Sequence, residues 1–78
     1  MSSVYRLIDA QERIYNKARK QLKAARACKP DYTAAASLGN AALSALVKAR
    51  KEGERTSMPE LEEAVEDFKE AVEGLPRY

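Results

Sequence analysis

Hydrophobic positions recur at helical spacing along residues 4–27: Val4, Leu7, Ile8, Ile14, Tyr15, Ala18, Leu22 and Ala25. At about 100° per residue they fall in one arc of roughly 120°, which predicts an amphipathic helix. Pro30 ends the pattern, because it disfavours helical geometry at the preceding residue and has no N–H to donate to the turn before it. A second helix is expected to begin at Asp31 or Thr33, either of which can cap it, and to stop at Gly53. Gly39 weakens that helix slightly. The third start signal is the clearest: Ser57-Met58-Pro59-Glu60 places a capping Ser, a Pro in the first turn and a Glu at the capping-box position. Met58, Leu61, Ala64, Val65, Phe68, Ala71, Val72 and Leu75 then form one stripe, and Gly74-Leu75-Pro76 stops it.

The pattern predicts an all-α chain with helices over about 3–28, 32–52 and 58–73. Short loops and the lack of an alternating strand pattern make it a small up-down-up three-helix bundle, a single helical domain over residues 1–78. A chain of 78 residues has no room for a second domain. Helix two differs from its neighbours. Its polar residues Thr33, Ser37, Asn40, Ser44, Lys48 and Lys51 occupy only about 80° of arc, and apolar residues fill most of the rest. Such a helix needs at least two neighbours, which helices one and three supply. Ala34, Ala35, Ala36, Ala41, Ala42, Ala45 and Ala49 also permit close backbone approach by a second copy. A Leu43/Val47 edge is the expected self-association surface of a homodimer or higher oligomer.

Composition changes this picture little: 45% hydrophobic and 33% charged residues suit a soluble folded helical unit. Charge changes it more. The net +2 hides a separation: residues 1–30 carry eight Lys/Arg and two acids, residues 31–51 three and one, and residues 52–78 three and nine. Helix three holds seven like-charge pairs at i,i+3 or i,i+4 against two opposite ones. At roughly 0.2–0.5 kcal/mol per pair the imbalance costs the isolated helix about 1–2 kcal/mol. Helix one is the expected source of compensation, with Arg19, Lys23 and Arg26 facing Glu62 or Glu66. Arg6, Arg13, Lys17 and Lys20 instead fall within about 60° of one another, directed away from the stripe and from any partner within the chain. They form a basic line about 21 Å long at 1.5 Å per residue. The acidic counterpart is Glu62, Glu63, Glu66 and Glu70 on helix three.

The residue inventory excludes much chemistry. There is no His and one Cys, so the usual zinc, haem and iron–sulfur ligand sets and a disulfide framework are not available, and no cofactor is expected. Ser–His and Cys–His nucleophile pairs need a His, and no GxSxG, GxxxxGK[ST] or HExxH spacing occurs. The helix-three carboxylates lie on a polar face with no pocket to desolvate a substrate. The chain is therefore read as non-enzymatic. Cys28 reads as a packing residue near a helix end, and the four tyrosines as packing at the core edge. Arg6, Asp9, Glu12 and Arg13 interrupt the stretch a signal peptide would need, so a cytoplasmic, non-membrane protein is expected.

An offset of 46 aligns Ala18, Leu22, Lys23, Ala25, Pro30 and Tyr32 with Ala64, Phe68, Lys69, Ala71, Pro76 and Tyr78. Their Ala-x3-aromatic-x2-Ala-x4-Pro spacing resembles the second helix of a tetratricopeptide repeat, and Leu38-Gly39-Asn40-Ala41 resembles the Leu-Gly-x-Ala segment of that family's first helix. The chain departs from the family in length: Gly39 to Ala64 spans about twice what one such repeat allows. The resemblance implies peptide or protein binding and names no site residue.

The leading functional expectation is a small helical protein working through protein–protein contacts, as a structural or accessory subunit, adaptor or inhibitor of a larger assembly. Small phage proteins share this profile. The alternative is a nucleic-acid-binding accessory protein that lays the basic face of helix one along a phosphate backbone. The acidic third helix counts against it, as does the absence of helix-turn-helix spacing.

Overall fold

The computed structural model describes residues 3–25 and 29–76. It contains α1 (Ser3–Ala24), α2 (Lys29–Glu52), a 3-10 turn (Gly53–Arg55) and α3 (Met58–Glu73), with no strand among the described residues. Each helix packs on the other two, giving an up-down-up bundle of 43 × 18 × 15 Å. None of its helices is long and apolar enough to cross a membrane.

The core follows the stripes. Ile8, Tyr15, Ala18 and Leu22 of α1 meet Leu61, Val65, Phe68 and Val72 of α3, with Leu75 just beyond α3 closing one end. The Tyr15 and Phe68 rings lie 5.5 Å apart at 40°. The inward face of α2 is mostly small: Ala35, Gly39, Ala42, Leu46 and Ala49. Its bulk is low because α1 and α3 fill the interior. At Gly39 the Phe68 ring occupies the place of the missing side chain, since a Cβ there would lie 2.8 Å from Cε1. Most of the alanines that suggested approach by a second copy thus serve packing within the chain: Ala35, Ala42 and Ala49 are buried and Ala36 and Ala45 half-buried, while Ala34 and Ala41 are exposed.

The ends of the helices differ from expectation in four places. α1 stops at Ala24, where Ala25 N–H donates to the Leu22 carbonyl at 3.1 Å; Arg26 and Cys28 lie outside the described residues, as does Tyr78. α2 starts at Lys29, so Pro30 and Asp31 occupy its first turn, where a Pro lacks no bond and a carboxylate suits the N-terminal end of the dipole. Asp31 and Thr33 are accordingly not caps. Ser57 does precede α3 and its carbonyl accepts from Leu61 N–H at 3.2 Å, but its side chain makes no capping bond. Leu7, placed in the stripe, is 45% exposed. On the helical wheel it lies on the Ile14 side of the stripe, about 100° from the fully buried Ile8.

Gly53 ends α2 at φ 57°, a left-handed conformation that glycine adopts without a Cβ penalty. Thr56 Oγ1 donates to the Ala49 carbonyl at 2.9 Å, satisfying one of the acceptors left open at the helix end. The Tyr5 hydroxyl covers Gly53, 2.6 Å from where a Cβ would stand. Tyr15 is the one described tyrosine buried in the core; Tyr5 and Tyr32 are exposed, so core-edge packing does not account for them all.

Candidate functional site

Each helix sets its polar residues around its own stripe, and the way the bundle turns decides which neighbour they face. α1 presents Ile14, Lys17 and Gln21 to α3, where they share a groove with Lys69 and Glu73. It presents Glu12, Tyr15, Asn16 and Arg19 to α2, where they share a groove with Leu43, Leu46, Val47 and Arg50. Arg19 therefore borders α2 and does not face Glu62 or Glu66. Lys23 lies beside Arg19, Asn16 and Lys20 in an adjoining recess on that side of α1. The expected neutralisation of α3 by Arg19 and Lys23 is not made, because those residues occupy the opposite flank of α1.

The ion pairs among the described residues run the other way. The Arg50 guanidinium on α2 donates to the carboxylates of Asp9, at 3.4 Å, and Glu12 on α1. All three side chains remain between 39% and 58% exposed, which keeps the gain to about 1 kcal/mol or less. The arrangement nevertheless occupies the two acids of α1 with a base of α2.

Arg6, Arg13, Lys17 and Lys20 are all exposed, as their common direction requires. They do not all stand clear of the other helices, however: Lys17 lies at the α3 edge beside Glu73, and Lys20 at the edge shared with Arg19. Glu62, Glu63, Glu66 and Glu70 are exposed as well. Glu63 shares a groove with Glu60, Asp67 and the α2 residues Leu38 and Ala41, so the flank of α3 toward α2 is also acidic.

Leu43 and Val47 are 45% and 48% exposed and lie one turn apart. They form the outer part of the α1/α2 groove, whose deeper wall is Tyr15 and Leu46. From Thr33 to Val47 α2 carries no charged residue, so this apolar pair interrupts a neutral helix face bordered by charge on both sides. The sequence singled out Leu43 and Val47. It missed that Arg19 shares their groove, with Lys20 and Lys23 in the recess beyond it, and that Glu12 and Arg50, the latter also paired with Asp9, lie in the groove's other part. The signal was present on the helical wheel, where Arg19 and Lys23 fall on the same side of the α1 stripe as Glu12.

No protein-family model, curated protein or solved structure matches the chain. The tetratricopeptide-like spacing also divides across unlike elements: Pro30 is in the first turn of α2, whereas Pro76 follows the end of α3.

Proposed function

We propose that this chain is a non-enzymatic helical module that acts by protein–protein contact, as an accessory subunit or adaptor. One observation carries the reading: Leu43 and Val47 stay half-exposed side by side although the bundle fills its core without them. Adjacent exposed aliphatic side chains on a small chain favour a contact that removes them from water. The segregation of base onto α1 and acid onto α3 adds two surfaces suited to orienting a charged partner.

The second reading, nucleic-acid contact along α1, is favoured by the exposure of Arg6, Arg13, Lys17 and Lys20. Glu73 beside Lys17 and the other carboxylates of α3 weigh against it, since they repel phosphate.

Binding to duplex DNA, single-stranded DNA and RNA at about 50 and about 200 mM salt separates the two readings, with light scattering giving the mass. The expected result is no tight nucleic-acid complex. A partner held by the parent protein and lost by a Leu43→Ser/Val47→Ser variant would support the contact reading, and a tight complex with a steep salt dependence would reverse the order.

A further inference from the structure

The α1/α2 groove has two unlike ends. Arg50 pairs with both Asp9 and Glu12 at one end. Toward the C-terminal end of α1 come Arg19, Lys20 and Lys23, which make no ion pair among the described residues. Asn16 and Arg19 line both the groove and the adjoining recess, so the apolar pair and the basic cluster form one continuous surface. The α2 wall beside it is uncharged from Thr33 to Val47.

We propose that this groove is the docking site of an acidic amphipathic helix from a protein partner. Its apolar side chains, spaced one turn apart, would cover Leu43 and Val47, and its carboxylates would face Arg19, Lys20 and Lys23. The proposal rests on the contact reading above and names the chemistry of the partner. Charge complementarity selects this occupant. A second copy related by a two-fold axis brings the basic cluster either against itself, a juxtaposition of like charges, or against the Arg50 end, whose carboxylates Asp9 and Glu12 are already engaged by Arg50. The α3 helix of a folded copy offers carboxylates but no apolar anchor, because Leu61, Val65, Phe68 and Val72 are 2% exposed or less. A phosphate backbone answers the bases and leaves the aliphatic pair in water.

The test is a titration of the full ¹⁵N-labelled chain with three synthetic peptides. The first has Leu at i, i+3, i+4 and i+7 flanked by Glu; the second replaces Glu by Lys, and the third replaces Leu by Ser. The acidic peptide is expected to shift the amides of Arg19, Lys23, Leu43 and Val47 with a saturable dependence, and the other two to bind about tenfold more weakly or worse. Two variants should lose about tenfold in affinity while keeping the parent melting temperature: Leu43→Ser/Val47→Ser, and Arg19→Gln/Lys20→Gln/Lys23→Gln. Equal binding of the Lys peptide overturns the proposal, as does no shift with any peptide. Shifts confined to α3 or to the Arg6/Arg13 face overturn the groove and leave the contact reading standing. A two-chain mass that Val47→Glu reduces to one assigns the groove to a second copy. Shifts at Arg6, Arg13 and Lys17 produced by duplex DNA, with none from the peptides, overturn both.

Discussion

Phe68 is the residue on which all three helices converge: 1% exposed, stacked against Tyr15 of α1 and seated in the gap left by Gly39 of α2. Phe68→Ala should cost about 3–5 kcal/mol and Leu22→Ala about 2–5 kcal/mol, which a chemical-denaturation curve measures directly. In a domain of this size either loss is a large fraction of the total stability. Gly39→Ala puts two effects in opposition. Alanine favours the helix by about 1 kcal/mol, whereas a Cβ at 2.8 Å from the ring demands a displacement that typically costs about 1–3 kcal/mol. The ring is held by Tyr15 and has no solvent into which to retreat, so the variant should be less stable, by about 1 kcal/mol; a higher midpoint would show that the ring yields. The sequence marked Phe68 as the centre of its stripe and Gly39 as a weak point in a helix. What it did not contain was the pairing of the two, because periodicity orients a residue on its own helix and is silent on what stands opposite.

At the level of the helices, three stripes and the stops at Gly53 and Gly74 were enough to predict the number, order and approximate span of the elements. Which flank of α1 faces which neighbour was not, since an up-down-up bundle can turn in either sense without any change in the stripes. The expected contact of Arg19 and Lys23 with Glu62 or Glu66 depended on that unread choice, and the structure places these bases beside α2. The consequence for stability is specific. Arg19→Gln/Lys23→Gln should shift the unfolding free energy by no more than about 0.5 kcal/mol, as expected for exposed charges with no ion pair among the described residues; a loss well above 1 kcal/mol would restore a compensating role. The acidic row of α3 then keeps its internal repulsion. Exposed Glu66 makes like-charge pairs with Glu62, Glu63 and Glu70 and one opposite pair with Lys69. Glu66→Lys inverts all four, and at roughly 0.2–0.5 kcal/mol per pair it should stabilise the protein by about 1 kcal/mol. Thermal melting checks this, with the gain shrinking at about 1 M salt, where the screening length is about 3 Å.

The molecule as a whole is a rod of 43 × 18 × 15 Å with base along α1 and acid along α3. These helices lie side by side and run in the same direction, so the separation crosses the rod and persists along its length. Its net charge of +2 describes neither side. A bead or a surface meets one flank at a time, at a distance of the order of the ~10 Å screening length at about 0.1 M salt, and so senses the local sign more than the sum. The protein should therefore be retained near neutral pH on cation-exchange and on anion-exchange resin alike. The basic flank would hold it to the first and the α3 flank to the second, and Glu66→Lys would weaken retention on the second alone.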